Sequence, residues 1–242
     1  MCGGLQNLIM NNIEIVPAVL ESSLEDISSR LESVRGAARA VQIDVVDGVY
    51  APNRTWPYGS ASQQAEFARI AAQEEGLPQW QDFDFEIDLM ASHPEKTVLE
   101  WVEAGASRVI IHIHSEGALE AVQKLQERRG GELGVAVGIA LMCTDSVETL
   151  VPFEGLYDFV QVMGIEKVGF QGQSFDPRAL DLLRALRKAY PELQLQIDGG
   201  VGRDHLRECA EAGATRIAQG STIFSSEDPV RTIRDLRAIL RV

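Results

Sequence analysis

Cysteine is scarce in this chain: Cys2, Cys143 and Cys209 are the only three in 242 residues, widely spaced. That excludes a disulfide framework and a CxxC metal knuckle. Cys143, near a strand end, reads either as a small buried hydrophobe or as a nucleophilic thiol. Long apolar runs are missing too: none approaches the ~20 residues that cross a bilayer, so no membrane association is expected. The opening MCGGLQNLIMNNIEIV lacks a basic start followed by a long apolar run, so no secretory signal is read and a cytoplasmic location is expected. Cations are outnumbered, with 22 Lys and Arg against 36 Asp and Glu, a net charge of −14. A surface that acidic repels nucleic acid and anionic lipid. Any phosphate must therefore be gripped locally, by backbone N–H groups and helix N-termini.

What is present is alternation. Short β-branched runs are predicted as strands at Ile13–Leu20, Ala40–Val46, Phe83–Met90, Ser107–His114, Leu133–Leu141, Tyr157–Met163, Leu193–Ile197 and Thr215–Gln219. VIIHI and GVAVGIAL are nearly continuous in apolar residues, as in parallel strands covered on both faces. Apolar spacing near i, i+3, i+4, i+7 predicts helices over Leu24–Val34, Glu95–Ala104, Ala118–Arg129, Pro177–Ala189, Arg203–Ala212 and Pro229–Leu240. Eight units of about thirty residues each match the size of a βαβ repeat. No linker, low-complexity stretch or charge block interrupts them, so residues 1–242 read as one α/β domain. A doubly wound sheet also alternates in this way, but the count of eight favours a closed (β/α)8 TIM barrel.

Three glycine-bearing segments follow the last three strands: Val168–Phe175, Asp198-Gly199-Gly200-Val201 and Gln219-Gly220-Ser221-Thr222. In such barrels the loops after strands seven and eight, with the start of a short extra helix, form the usual phosphate site. Glycine suits that task because a Cβ would block several N–H groups from converging on one oxyanion. The first segment is a loop able to close over a ligand. Acids also end the strands. Alternation points Gln42 and Asp44 the same way, into the barrel mouth, and Asp88 and Asp198 end strands three and seven. Acids within apolar strands cost free energy unless paired or metal-bound, so they call for a reason. Proton transfer between two facing carboxylates is one, and a metal stabilising an enediolate is another. Asp47, before Gly48, reads as a turn acid. His112 and His114 both point inward if strand four runs through them, either as hydrogen-bonded interior histidines or as functional ones; Met163, ending strand six, is a candidate for substrate contact. His93 and His205 are expected on the surface. Trp56 either lines the pocket or packs beneath its loop.

From Ile15 to Phe224 the chain resembles the ribulose-phosphate 3-epimerase family, through IVPAVL, QIDVVDGVYAPNRT, FEIDLMASHPE, VIIHIH, VGFQGQSFDP, QIDGGV and AGATRIAQGSTIF. The resemblance implies a ribulose-phosphate-binding barrel that inverts C3 of a ketopentose 5-phosphate, D-ribulose 5-phosphate giving D-xylulose 5-phosphate through an enediolate. It assigns Asp44 and Asp198 as the acid and base, His112 to the substrate side, and Gly172, Gly199, Gly200, Gly220 and Ser221 to the phosphate. The family's metal set is two histidines and two aspartates, and the matching positions are Gln42, Asp44, Asp88 and Asp198. Ala18 stands where the family carries Ser, Met142-Cys143 where it carries Asn-Pro, and the loop after strand six has one additional residue. A divalent ion, Mg, Mn, Fe or Zn, is left open at the altered set, whose oxygens suit the harder ions. Without a cation, three converging carboxylates would raise at least one pKa. No nucleotide cofactor is expected, and the partner is a small phosphorylated sugar, with homo-oligomerisation open. The alternatives are another phosphosugar isomerase or epimerase on the same barrel, and a non-catalytic phosphosugar-binding protein.

Overall fold

The computed structural model describes residues 13–128 and 134–241. Cys2, Arg129, Leu133 and nearly all of the opening segment tested for a signal lie outside the described residues. Eight strands, β1 (Glu14–Val19), β2 (Ala40–Val46), β3 (Asp84–Met90), β4 (Ala106–His112), β5 (Ala136–Met142), β6 (Phe159–Met163), β7 (Gln194–Asp198) and β8 (Arg216–Gln219), pair in parallel in chain order, and β1 closes on β8. The chain is a TIM barrel, as the repeat length predicts.

The outer layer consists of α1 (Leu24–Val34), α2 (Ala61–Ala71), α3 (Val98–Glu103), α4 (Ala118–Arg128), α5 (Arg178–Ala189), α6 (Leu206–Glu211), α7 (Ser221–Phe224) and α8 (Pro229–Leu240). Ser23 Oγ caps α1 by accepting from the Asp26 N–H at 3.1 Å. Asp228 does the same for α8 from Arg231 at 2.9 Å, with Pro229 in the first turn. The segment expected as a helix over Glu95–Ala104 instead begins with a 3-10 turn at Pro94–Lys96. Between β5 and β6 the connection is a 3-10 segment, Val147–Phe153, with Pro152 inside it. A proline there removes an N–H and suits the tighter, shorter turn.

One large core fills the space between strands and helices. Trp56 belongs to it: fully buried, it meets Phe67 of α2 and Trp101 of α3 edge-on at 5.6 and 5.8 Å, and its indole N–H donates to Glu66 at 2.7 Å. It therefore packs beneath the loop after β2 rather than lining a pocket. The interior of the barrel is different. It is polar in two layers, because alternate residues of parallel strands point inward at matched heights. Register pairs Gln42 with Glu86, Glu86 with Arg108, Gln161 with Gln196 and Gln196 with Arg216 in the lower layer. Two residues further along, Asp44 pairs with Asp88 and Met163 with Asp198, at the C-terminal mouth.

Candidate active site

The mouth opens into a cavity of about 230 Å³ lined by Asp44, Asp88 and Asp198 on one side and the glycine loops on the other. Asp44 leaves the barrel wall from β2, whose end is pinned by Thr55: its hydroxyl donates to the Asp44 carbonyl at 3.0 Å and accepts from the Val46 N–H at 2.8 Å. Asp88 is fully buried, and Asp44 and Asp198 are only 6% and 9% exposed. The Gln42 amide nitrogen donates to Asp44 Oδ1 and to Asp198 Oδ2, both at 2.7 Å. The two predicted acid/base carboxylates thus share one donor and face one cavity.

Asp88 accepts from His112 Nε2 at 2.9 Å and from Gln161 Nε2 at 3.2 Å. His112 is buried behind Asp88, with the Tyr50 ring tilted over it at 5.2 Å, and is not among the cavity-lining residues. Met163 does line the cavity. Burial, then the charges of Asp198 and Asp88, holds Asp44 well above the ordinary carboxylate range. Burial, then the charge of Asp88, pushes Asp198 up to about 7, while the Gln42 N–H opposes the rise at both acids. The repulsion expected of three converging acids is present.

Gly199, Gly200, Gly220, Ser221 and Gly172 all line the same cavity. Gly199 and Gly200 have φ of +98° and +69°, and a Cβ on Gly200 would sit 2.7 Å from the Phe175 backbone. Only glycine fits that turn. Gly220 precedes α7, so the first N–H groups of that short helix, at Ser221 and Thr222, have no carbonyl of their own helix to bond. No Lys or Arg is among the lining residues described, so an anion would rest on backbone N–H groups and neutral side chains such as Ser221 and Thr222. The loop after β6 closes over the opening: Asn53 donates to the Gly169 carbonyl at 2.9 Å and Gln171 to the Ala18 carbonyl at 3.0 Å.

Other candidates fall outside the cavity. His114 does not point into the barrel, because β4 ends at His112 and the chain turns; half-exposed, it pairs with Asp145 at 2.9 Å. His93 and His205 are on the surface, His205 stacked against Phe175. Asp47 is a turn acid, accepting from the N–H groups of Val49, Tyr50 and Ser92 at 2.7 to 2.8 Å. Cys143 is buried, which with its Asp176 contact pushes the thiol up to about 11, so it is no thiolate nucleophile. Sequence reasoning missed Gln161, Gln196, Glu86, Arg108 and Arg216. For Glu86 and Gln196 the signal was available as polar residues at every second position in FEID and QLQID; Arg108, Gln161 and Arg216 stand as polar residues within largely apolar strands, in SRVIIH, FVQVM and RIA.

One oxygen from each of Asp44, Asp88 and Asp198 lies within 4.8 Å of the others, close enough to converge on one divalent ion. The donor set around them fits such an ion poorly. The Gln42 oxygen, expected as a fourth ligand, accepts from Gln196 Nε2 at 2.9 Å and is turned away from the cluster. Four of the six carboxylate oxygens already accept from side-chain N–H groups.

Residues 14–224 match the sequence profile described as the ribulose-phosphate 3 epimerase family. The ribulose-phosphate 3-epimerase of Eremothecium gossypii is 31% identical over 217 residues, covering 88% of this chain and 87% of that one. That of Schizosaccharomyces pombe is 30% identical, covering 94% of each, and the cytoplasmic isoform of Oryza sativa subsp. japonica is 30% identical, covering 93% and 92%. Among solved structures, a ligand complex of KGPDC from Streptococcus mutans superposes with a TM-score of 0.70 at 11% identity, covering 95% of this chain and 97% of that one. 3-Hexulose-6-phosphate synthase from Salmonella typhimurium gives 0.65 at 18%, covering 94% and 98%; at such identities the likeness is one of fold. No helix among the described residues is long and apolar enough to cross a membrane. On the sequence match, together with paired carboxylates facing glycine loops across one barrel mouth, the chain belongs to the ribulose-phosphate 3-epimerase family.

Proposed function

We propose that this chain is an isomerase that interconverts the C3 epimers of a ketopentose 5-phosphate, D-ribulose 5-phosphate and D-xylulose 5-phosphate. The observation that carries the reading is the pairing of Asp44 and Asp198 on one amide nitrogen, at the wall of a cavity shared with the glycine loops. The loops at Gly199-Gly200 and Gly220-Ser221 hold the phosphate, and the segment around Gly172 closes over the sugar. The ionised carboxylate of the pair takes the proton from C3. The electrons of that C–H bond move into the C2 carbonyl, giving an enediolate, and the protonated carboxylate returns a proton to C3 from the other face. Raised proton affinity at both acids suits this exchange, which needs one carboxylate as base and one carboxylic acid as proton donor. Buried free thiols at Cys143 and Cys209 suit a reducing compartment, and we place the enzyme in the cytoplasm.

Asp44→Asn and Asp198→Asn each remove a proton carrier and keep the shape. Each is expected to lower turnover of D-ribulose 5-phosphate by about a thousandfold or more, with phosphosugar binding retained. Full turnover in either variant refutes the roles. Ala18 and Asp88 line the reaction side of the cavity and depart from the family pattern, which favours a second reading in which another phosphosugar is the preferred substrate. A panel of pentulose and hexulose phosphates, compared by kcat/KM, separates the two.

A further inference from the structure

The lower layer of the barrel fixes which way the active-site amides face. Arg216 Nε can only donate, and it donates to the Gln196 oxygen at 2.7 Å. A second Arg216 nitrogen reaches Glu86 at 3.2 Å, and Arg108 holds the same carboxylate at 2.5 Å, so the layer is locked by buried ion pairs. With its oxygen committed, Gln196 turns its nitrogen to Glu86 Oε1 at 2.5 Å and to the oxygens of Gln161 at 2.7 Å and Gln42 at 2.9 Å. Each of those two glutamines directs its own nitrogen upward. Gln42 Nε2 bridges Asp44 and Asp198, and Gln161 Nε2 meets Asp88. Reversing Gln42 would set two NH2 groups against each other and an amide oxygen against two carboxylates.

An amide nitrogen has no free lone pair for a cation, and its N–H groups carry partial positive charge. At one of the two positions where the family pattern has an imidazole ligand, this chain therefore places a donor aimed at the acids. We propose that the Gln42 amide takes the bridging place of the family's metal ion: it is a positioning residue that ties Asp44 to Asp198, and the chain works without a divalent cation. Its orientation is set from below by the Arg216–Gln196 contact. The part concerning epimerisation rests on the function proposed above, whereas the absence of an ion requirement is read from metal binding alone.

The test compares the full-length protein with two variants. Gln42→Glu keeps the shape and replaces the donor by an oxygen, and Gln42→His with Asp88→His returns both imidazoles of the family pattern. After passage over chelating resin, the native protein is expected to contain under about a tenth of an equivalent of divalent metal and to leave added Mn²⁺ free by electron paramagnetic resonance. EDTA is expected to leave its kcat unchanged. Gln42→Glu is expected to bind Mn²⁺, and to lose about a hundredfold in kcat at nearly constant KM until Mn²⁺ is added. The double histidine variant is expected to bind Co²⁺ with visible d–d bands. Native protein that retains about one equivalent of metal, or binds Mn²⁺ tightly, overturns the proposal. If native protein turns over no ribulose 5-phosphate, the epimerase reading falls while the Mn²⁺ titration still decides the role of Gln42. Should Gln42→Glu fail to fold, the native protein's metal content and EDTA response decide alone.

Discussion

Replacing Asp198 by Asn is expected to abolish catalysis and stabilise the protein, increasingly so as pH rises. The folded chain holds a proton on Asp198 up to about pH 7, against an ordinary value of 3.8. Between those values unfolding releases a proton, so the native protein loses stability with rising pH through that window; below it the loss vanishes, and above it the loss is complete. Each pH unit across the window corresponds to about 1.4 kcal/mol, giving an upper bound of about 4 kcal/mol at pH 8.5 and about 1–2 kcal/mol at pH 5. Asn keeps the acceptor for Gln42 Nε2, 2.7 Å away in the native protein, and removes a charge that raises the proton affinity of Asp44. At about 2–4 °C per kcal/mol for a chain of this size, the melting advantage of the variant should grow by about 5–10 °C between pH 5 and pH 8.5. Paired thermal melts across that range provide the assay. An advantage that does not change with pH, or a variant less stable than the native protein at pH 8.5, would refute the reasoning.

Two further perturbations probe the phosphate turn and the charged layer. Gly200→Ala forces a side chain into a backbone at φ +69° with the Phe175 backbone 2.7 Å from the new Cβ, so stability should fall by about 1–3 kcal/mol and KM for the sugar phosphate should rise more than kcat falls. Urea melts and steady-state kinetics read the two effects. Arg216→Met removes a donor from Glu86 and Gln196, and a cost of about 3–5 kcal/mol in urea unfolding is expected for breaking a buried pair; a change below about 1 kcal/mol would show that Arg108 and Gln196 together satisfy Glu86.

The barrel was legible because its strands are short apolar β-branched runs at an even spacing, a pattern that needs no knowledge of partners. Asp44, Asp88 and Asp198 were legible for a related reason: each lies at, or two residues before, the C-terminal end of its strand, and in a barrel those ends meet. Helix α2 was not, since ASQQAEFARIA buries only Phe67 and Ile70 and has little apolar stripe to announce it. His114 was misplaced because alternation was extended past His112, where pairing with β5 stops. The Gln42 oxygen was expected to face an ion. Its reversal depends on Arg216, far off in sequence, through Gln196, and an amide gives no sign of its polarity until its neighbours are in place.

The central claim is that Asp44 and Asp198 exchange a proton at one carbon of a bound sugar phosphate. Incubating D-ribulose 5-phosphate with the native protein in deuterated water and following C3 by NMR tests it most directly. Deuterium should enter at C3 alone as xylulose 5-phosphate forms, and neither should occur with Asp44→Asn or Asp198→Asn. Deuterium at another carbon, or undiminished exchange in either variant, would contradict the account.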